Sequence, residues 1–209
     1  ELCEEAGSED TEAIESWRTL GLHTALCTIL VKHLGFKHPT RIQQASIAGQ
    51  ITGTSAILTG PTGEGKTLAF GLPVAQALLE APKTRQDDTD GPFCLVLAPT
   101  RDLAQQTAKL LRPFVPCSLL VGGASLDKQR RLLGRCAPVV VATPGRLLEI
   151  VEKVRHPQIL SMLGLEGKTP TLRHMILDEA DRMLQGGRYP ELDVILSLVR
   201  SGLRDGSFK

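Results

Sequence analysis

The residues Gly60-Pro61-Thr62-Gly63-Glu64-Gly65-Lys66-Thr67 have the types and spacing of a loop that holds phosphate. The pattern is G-x-x-x-x-G-K-[ST]. Its glycines let backbone N–H groups turn inward onto phosphate oxygens, and a following helix adds partial positive charge at its N-terminus. Lys66 would reach the β- and γ-phosphates, and Thr67 would place its hydroxyl on Mg²⁺. Alone, the pattern could be a glycine-rich turn that happens to contain Lys-Thr. A second group, Asp178-Glu179-Ala180-Asp181, supplies carboxylates. One of them can hold a divalent cation through water, and the next can orient or activate a hydrolytic water. Alone, these acids could merely complement a helix dipole. Downstream of a phosphate loop they read as its acidic partner.

Both groups need elements that aim them. Ser55-Ala-Ile-Leu-Thr59 is short and apolar and reads as a buried strand entering the loop, and Leu68–Leu79 as the helix leaving it. Further on, Phe93–Ala98, Ser118–Val121, Val139–Ala142 and His174–Leu177 read as strands. Helices are expected over Leu22–Leu34, after Gln44 as a short helix through Ile51, and over Arg101–Leu111, Leu126–Leu133, Gly145–Val154 and Leu192–Val199. Ala81–Pro92 reads as a polar surface loop, His156–Leu172 as irregular chain, and residues 1–13 as a disordered acidic segment. Strands alternate with helices, and the strands are continuously apolar rather than alternating. That implies an α/β domain over 14–209 whose sheet is mainly parallel and covered by helices on both faces, a three-layer sandwich. Ligand chemistry in such a sheet belongs at the carboxyl ends of the strands. Each unusual motif follows a strand, so the motifs should converge on one edge.

Bulk properties narrow the function. With 209 residues, 42% of them hydrophobic, the chain can bury one substantial core. No apolar run approaches the ~20 residues that span a bilayer, so no membrane partner is expected. The first residues look like neither a secretory signal nor an Arg-rich transit peptide. A net charge of +1 excludes nucleic-acid binding through bulk charge, so any such site must be local. The cysteines, Cys3, Cys27, Cys94, Cys117 and Cys136, are spread out, with no C-x-x-C pair to suggest zinc or a disulfide framework. Cys94 and Cys117 lie in apolar runs and read as small core residues.

Further motifs lie before the phosphate loop and between it and the acidic group. They are Phe36-x-x-Pro39-Thr40-x-Ile42-Gln43, Pro99-Thr100-Arg101-Asp102-Leu103-Ala104, Gly122-Gly123 and Thr143-Pro144-Gly145-Arg146. In this order the set resembles the N-terminal RecA-like domain of DEAD-box RNA helicases, from about Trp17 to the end. The resemblance implies an ATP- and Mg²⁺-dependent RNA-remodelling enzyme in which Lys66, Asp178 and Glu179 serve catalysis. It implies that Thr67 and Asp178 hold Mg²⁺. Phe36, Gln43, Pro61, Thr62, Gly63, Glu64, Gly65, Lys66 and Thr67 would bind the nucleotide. A glutamine amide can pair with adenine N6 and N7 at once, so Gln43 would select ATP, with Phe36 stacking. Trp17 reads either as an aromatic of that loop or as a core residue. Pro99, Thr100, Arg101, Gly123, Thr143, Pro144, Gly145 and Arg146 would grip RNA backbone phosphates, independently of sequence. Considered singly, Arg101 or Arg146 would more simply make a surface salt bridge.

Ser16-Trp17, Gly122–Leu133 and Asp181–Leu192 further resemble the nucleolar subfamily acting in large ribosomal subunit assembly. That implies a nuclear, nucleolar location and pre-ribosomal protein partners. Members of the family continue into a strand ending Ser-Ala-Thr and a second RecA-like domain, which would supply an arginine finger worth ~10³ to 10⁵ in rate. Without them, weak nucleotide binding and very slow hydrolysis are expected. An ATPase-poor RNA- or protein-docking scaffold that keeps the fold is the alternative. The loop also departs from the family's usual Ala-x-Thr-Gly-Ser/Thr-Gly-Lys-Thr. Gly60 replaces the alanine and Glu64 the hydroxyl residue. Because Gly63 and Gly65 leave the backbone free on both sides, the Glu64 carboxylate is expected to point outward to solvent.

Overall fold

The structure, a computed structural model, describes residues 2–81, 91–135, 137–165 and 170–204. They form two compact units, Glu1–Ala81 and Pro82–Lys209. Most of the loop expected at Ala81–Pro92, Cys136, part of the irregular stretch at 166–169, and the last residues lie outside the described residues.

The first unit is helical: α1 (Leu2–Arg18), α2 (Thr24–Thr28) running into a π-helical turn (Ile29–His33), α3 (Arg41–Ile51) and α4 (Lys66–Glu80). Residues 2–13 are therefore helical, not disordered. Ala13 and Trp17, four apart on one face of α1, are both buried, and Glu9 pairs with Lys37 at 2.7 Å. Burial of that apolar pair, more than the exposed ion pair, holds the acidic segment in place. Trp17 joins Leu26, Leu30, Ile47 and Leu72 in the core. Gly35, at φ +73°, ends the π-helical stretch in the left-handed region that only glycine enters cheaply.

The strand expected at Ser55–Thr59 is not formed. These residues run without strand pairing among the described residues, and Ile57 is 93% exposed. A strand needs a neighbour to complete its ladder, which local composition cannot supply.

The second unit holds a four-stranded parallel sheet of β1 (Cys94–Leu97), β2 (Cys117–Leu120), β3 (Val139–Ala142) and β4 (His174–Leu177), in the order β2-β3-β1-β4. Between and after them lie α5 (Arg101–Leu111), α6 (Leu126–Leu133), α7 (Pro144–Glu149) continued by a π-helical turn (Ile150–Val154), α8 (Pro157–Met162), α9 (Ala180–Met183) and α10 (Pro190–Arg204). All residues of the inner strands β1 and β3 are buried. Strand β2 alternates and β4 is half-buried throughout, as befits edges. The expected strands and helices of this unit are present, mostly with boundaries shifted by a residue or two. Helix α8 replaces part of the irregular stretch, because Pro157 starts a turn that buries Ile159, Leu160 and Met162. Burial pushes the Cys27 thiol up to about 11 and that of Cys117 to about 12, and raises Cys94 further, so all three are inert packing residues.

His174 opens β4 with its ring edge-on to Phe93, centroids 5.6 Å apart. Burial depresses its basicity below the usual 6.5, so the neutral ring is the folded form. The unfolded chain then binds the proton first. The corresponding stability is complete above about pH 6.5 and is lost as pH falls toward the lowered folded value. Urea unfolding of His174→Phe at pH 7.5 and 5.5 should show a smaller acid-side loss than the native protein.

Candidate nucleotide and nucleic-acid site

In the first unit the phosphate loop opens α4. Gly63 (φ +92°) and Gly65 (φ +82°) take left-handed conformations that reverse the chain tightly before Lys66. Gly65 is glycine for a second reason, since a side chain there would run into the Gln43 amide. Two residues tie the loop to the start of α3. The Thr40 hydroxyl donates to the Glu64 carbonyl at 2.8 Å, and Gln43 Nε2 donates to the Gly65 carbonyl at 3.0 Å. Gln43 Oε1 accepts from the Thr40 N–H at 2.8 Å, one arm of a capping box. Both ends of the Gln43 amide are therefore engaged, and the side chain is buried. To meet an adenine edge it must first release those partners.

At the other end of the same segment, Trp17 Nε1 donates to the Phe36 carbonyl at 2.8 Å. Trp17 is thus both a core residue and the anchor of the loop, which unites the two readings of it. The Phe36 ring is left 40% exposed. Pro61, Thr62 and Gly63 are exposed, and Thr67 is half-buried in the first turn of α4. Lys66 Nζ donates to the carbonyls of Gly60 at 2.5 Å and Pro61 at 2.7 Å, so the loop's own oxygens hold the ammonium. Glu64 does not point away from the loop as expected. Its carboxylate is folded back against Gly60, although the residue remains exposed. The missing methyl at 60 leaves that space open.

In the second unit the sheet register gathers the motifs. Leu120, Ala142, Leu97 and Leu177 stand level across the four strands. The ladder is extended one step by Thr143 N–H to Leu120 O, Ala98 N–H to Ala142 O and Asp178 N–H to Leu97 O, at 3.1, 3.0 and 2.9 Å. With strands ~4.8 Å apart, the motifs following them lie along one edge roughly 15 Å long.

On the β2-β3-β1 side, the Arg101 guanidinium lies against the backbone of Gly122 and Gly123. Cβ atoms on these glycines would come within 3.0 Å of it. Gly123 also takes φ +96°. The guanidinium thus uses the side-chain space that the glycine pair leaves empty, while Arg101 stays exposed. Thr100 caps α5, accepting from Leu103 N–H at 3.3 Å, and Thr143 precedes Pro144 at the start of α7. Gly145 is exposed, but the rings of Pro99 and Pro144 are buried, so these prolines shape turns.

Arg146 behaves differently. It donates to the Ala124 carbonyl at 2.7 Å and to Glu149 at 2.9 Å, its side chain is 10% exposed, and its Nε is buried without a partner. It fastens the glycine loop to α7 rather than standing open toward a ligand. Lys153 and Arg146 together hold the Glu149 carboxyl below the usual carboxylate range, with the Lys153 hydrogen bond first.

At the β4 end, Thr107 Oγ1 donates to Asp178 Oδ2 at 2.9 Å. Thr107 was not singled out in the sequence. Its signal is a hydroxyl on the apolar face of α5, among Ala104, Ala108 and Leu111. Glu179 has φ +53° and ψ +50°, a left-handed conformation costing a residue with a Cβ roughly 1–2 kcal/mol. It leads into α9 and pairs with Arg182 at 3.2 Å. No group of three or more His, Cys, Asp or Glu residues is placed to hold a metal among the described residues. A Mg²⁺ ion bound chiefly by phosphates needs only one or two carboxylates, and Asp178, oriented by Thr107, is suited to that part.

A profile of the DEAD/DEAH box helicase family matches residues 40–207. The chain belongs to this family. DEAD-box ATP-dependent RNA helicase 13 of Oryza sativa subsp. japonica is 40% identical over 210 residues, which is 90% of this chain and 24% of the rice protein. ATP-dependent rRNA helicase rrp3 of Sclerotinia sclerotiorum is 37% identical over 200 residues, 93% of this chain and 38% of that protein. The chain thus spans well under half the length of these curated relatives. Among solved structures, the DEAD-box helicase Mss116 bound to ssRNA and UDP-BeF superposes with a TM-score of 0.71 at 26% identity, covering 87% of this chain and 36% of that one. The all-parallel sheet is the arrangement expected of a RecA-like DEAD-box domain. No helix among the described residues is long and apolar enough to cross a membrane.

The two arginines of the DEAD-box edge should separate experimentally. Arg146→Ala leaves the half-buried Ala124 carbonyl and Glu149 carboxylate short of a donor, and should lower unfolding free energy by about 1–3 kcal/mol. Arg101→Ala, on the surface, should change it by less than about 0.5 kcal/mol. Denaturant titration measures both.

Proposed function

We propose that this chain is the nucleotide-binding half of an ATP-dependent RNA helicase. The observation that carries the reading is the level ending of the four strands. It sets Thr100, Arg101, Gly122, Gly123 and Thr143 along one edge, with Asp178 and Glu179 at its β4 end. The phosphate loop, which opens α4 through two left-handed glycines, supports the ATP side.

In this reading the N–H groups from Thr62 to Thr67 cradle the phosphates, and Lys66 leaves the Gly60 and Pro61 carbonyls to meet them. Phe36 and a released Gln43 face the adenine. Thr67 in the first unit and Asp178 in the second are each suited to be a Mg²⁺ ligand. The ion would neutralise phosphate charge in the usual way. Glu179, beside Asp178, positions and deprotonates the attacking water. Arg101, the backbone of Gly123 and the helix starts at Thr100 and Thr143 hold successive RNA phosphates without reading bases. Pro144 and Gly145 set the backbone turn of the α7 start, and Arg146 contributes by fixing the Ala124 carbonyl. A second RecA-like domain completes both sites and supplies the arginine that stabilises the transition state. Similarity to the Sclerotinia rRNA helicase supports an rRNA substrate, hence a nucleolar role with pre-ribosomal partners.

One observation favours a second reading, an ATPase-poor docking scaffold. The Glu64 carboxylate lies against Gly60, where it would put negative charge beside a phosphate ligand.

RNA-stimulated ATP hydrolysis by the full-length protein decides between them. Glu179→Gln should lower turnover by at least about a hundredfold while ATP and RNA still bind. Parallel loss of ATP binding would remove Glu179 from the water-positioning role, and absence of RNA-stimulated turnover in the native protein would favour the scaffold.

A further inference from the structure

Gly60 and Glu64 claim the same volume. A Cβ on Gly60 would collide with Glu64 Oε2, with Glu64 Cδ at 3.3 Å and Ile42 Cδ1 at 3.7 Å behind it. Gly63 and Gly65 are glycines because their φ angles are positive, but Gly60 has no positive φ. What glycine contributes at 60 is therefore space, and a side chain from the far limb of the same loop fills that space.

Two opposite charges converge on this residue. Lys66 Nζ takes the Gly60 carbonyl from one direction, and the Glu64 carboxylate lies against its α-carbon. The loop is thus internally occupied. The cation that would meet a phosphate is satisfied by carbonyls, and an anion lies against the first residue of the loop.

We propose that Glu64 is a resident counter-charge that sets how tightly this loop takes nucleotide phosphates, and that Gly60 is the residue that admits it. The proposal rests on the nucleotide-binding reading above and deepens it. A phosphate entering the loop comes within several ångströms of a carboxylate on a partly solvated backbone. Repulsion there is weaker than in a dry site and is screened by salt. The expected penalty is therefore about three- to tenfold in affinity rather than an abolished site. Because the colliding atom is the tip of a flexible side chain, a methyl at 60 should expel the carboxylate without disturbing the loop.

The test is calorimetric titration of the full-length protein with Mg·ATP at low and high salt. Glu64→Gln keeps the shape and removes the charge. It should bind about three- to tenfold more tightly, with the gain shrinking as salt rises. Gly60→Ala should also gain, by ejecting the carboxylate. Gly60→Ala combined with Glu64→Ser should gain little beyond Glu64→Ser alone, since the two changes relieve one contact. Unchanged or weaker binding by Glu64→Gln, or simple additivity of the Gly60 and Glu64 effects, would overturn the proposal. Lys66→Ala separates the two levels of the argument. If it abolishes binding while the Glu64 variants behave like the native protein, the nucleotide reading stands and the counter-charge falls. If neither the native protein nor any Glu64 variant binds Mg·ATP, both fall.

Discussion

The register of the parallel sheet is the constraint on which the second unit depends. Four strands end on one level, and the chain leaves each through a turn bearing polar chemistry. Parallel pairing forces every connection to cross back, so the carboxyl ends collect on one side while helices take up the intervening chain. Residues far apart in sequence, such as Arg101 and Gly123, meet because β1 and β2 both flank β3. A slip of one residue in any strand would carry its turn toward the other face of the sheet.

The first unit is organised by a different device, a set of short hydrogen bonds that fixes one loop to another. Trp17 holds Phe36 at one end, and Thr40 and Gln43 hold the carbonyls of Glu64 and Gly65 at the other. The segment between is thereby placed against the phosphate loop without a disulfide or metal. These bonds occupy both ends of the Gln43 amide, so under the proposed function base recognition would compete with loop closure for it. That competition gives the free loop a definite shape at the cost of rearrangement on binding.

Much of this was legible in the sequence, for local reasons. Val139-Val-Val-Ala142 has no polar face and can only be an interior strand. Gly63 and Gly65 bracket a turn that needs positive φ, and Thr100 stands where an α5 cap belongs. The expectations that missed share another origin. The segment Ser55–Thr59 has strand composition but lacks a ladder, because pairing is decided by distant chain. The acidic N-terminal segment is helical because Ala13 and Trp17 bury together, which its charges do not announce. Nor could residue type alone tell that the donors of Arg146 go to the Ala124 carbonyl and Glu149. Thr107 was invisible because only the fold brings a helix hydroxyl to Asp178.

The shared volume at Gly60 and Glu64 has a historical corollary. A methyl at 60 and a carboxylate turned inward from 64 exclude one another. Glutamate arriving beside an alanine would have stayed outside the loop and gone unnoticed by selection. Glycine arriving beside a small hydroxyl residue would have opened an empty niche of little consequence. Under the proposal, neither change would carry the effect alone.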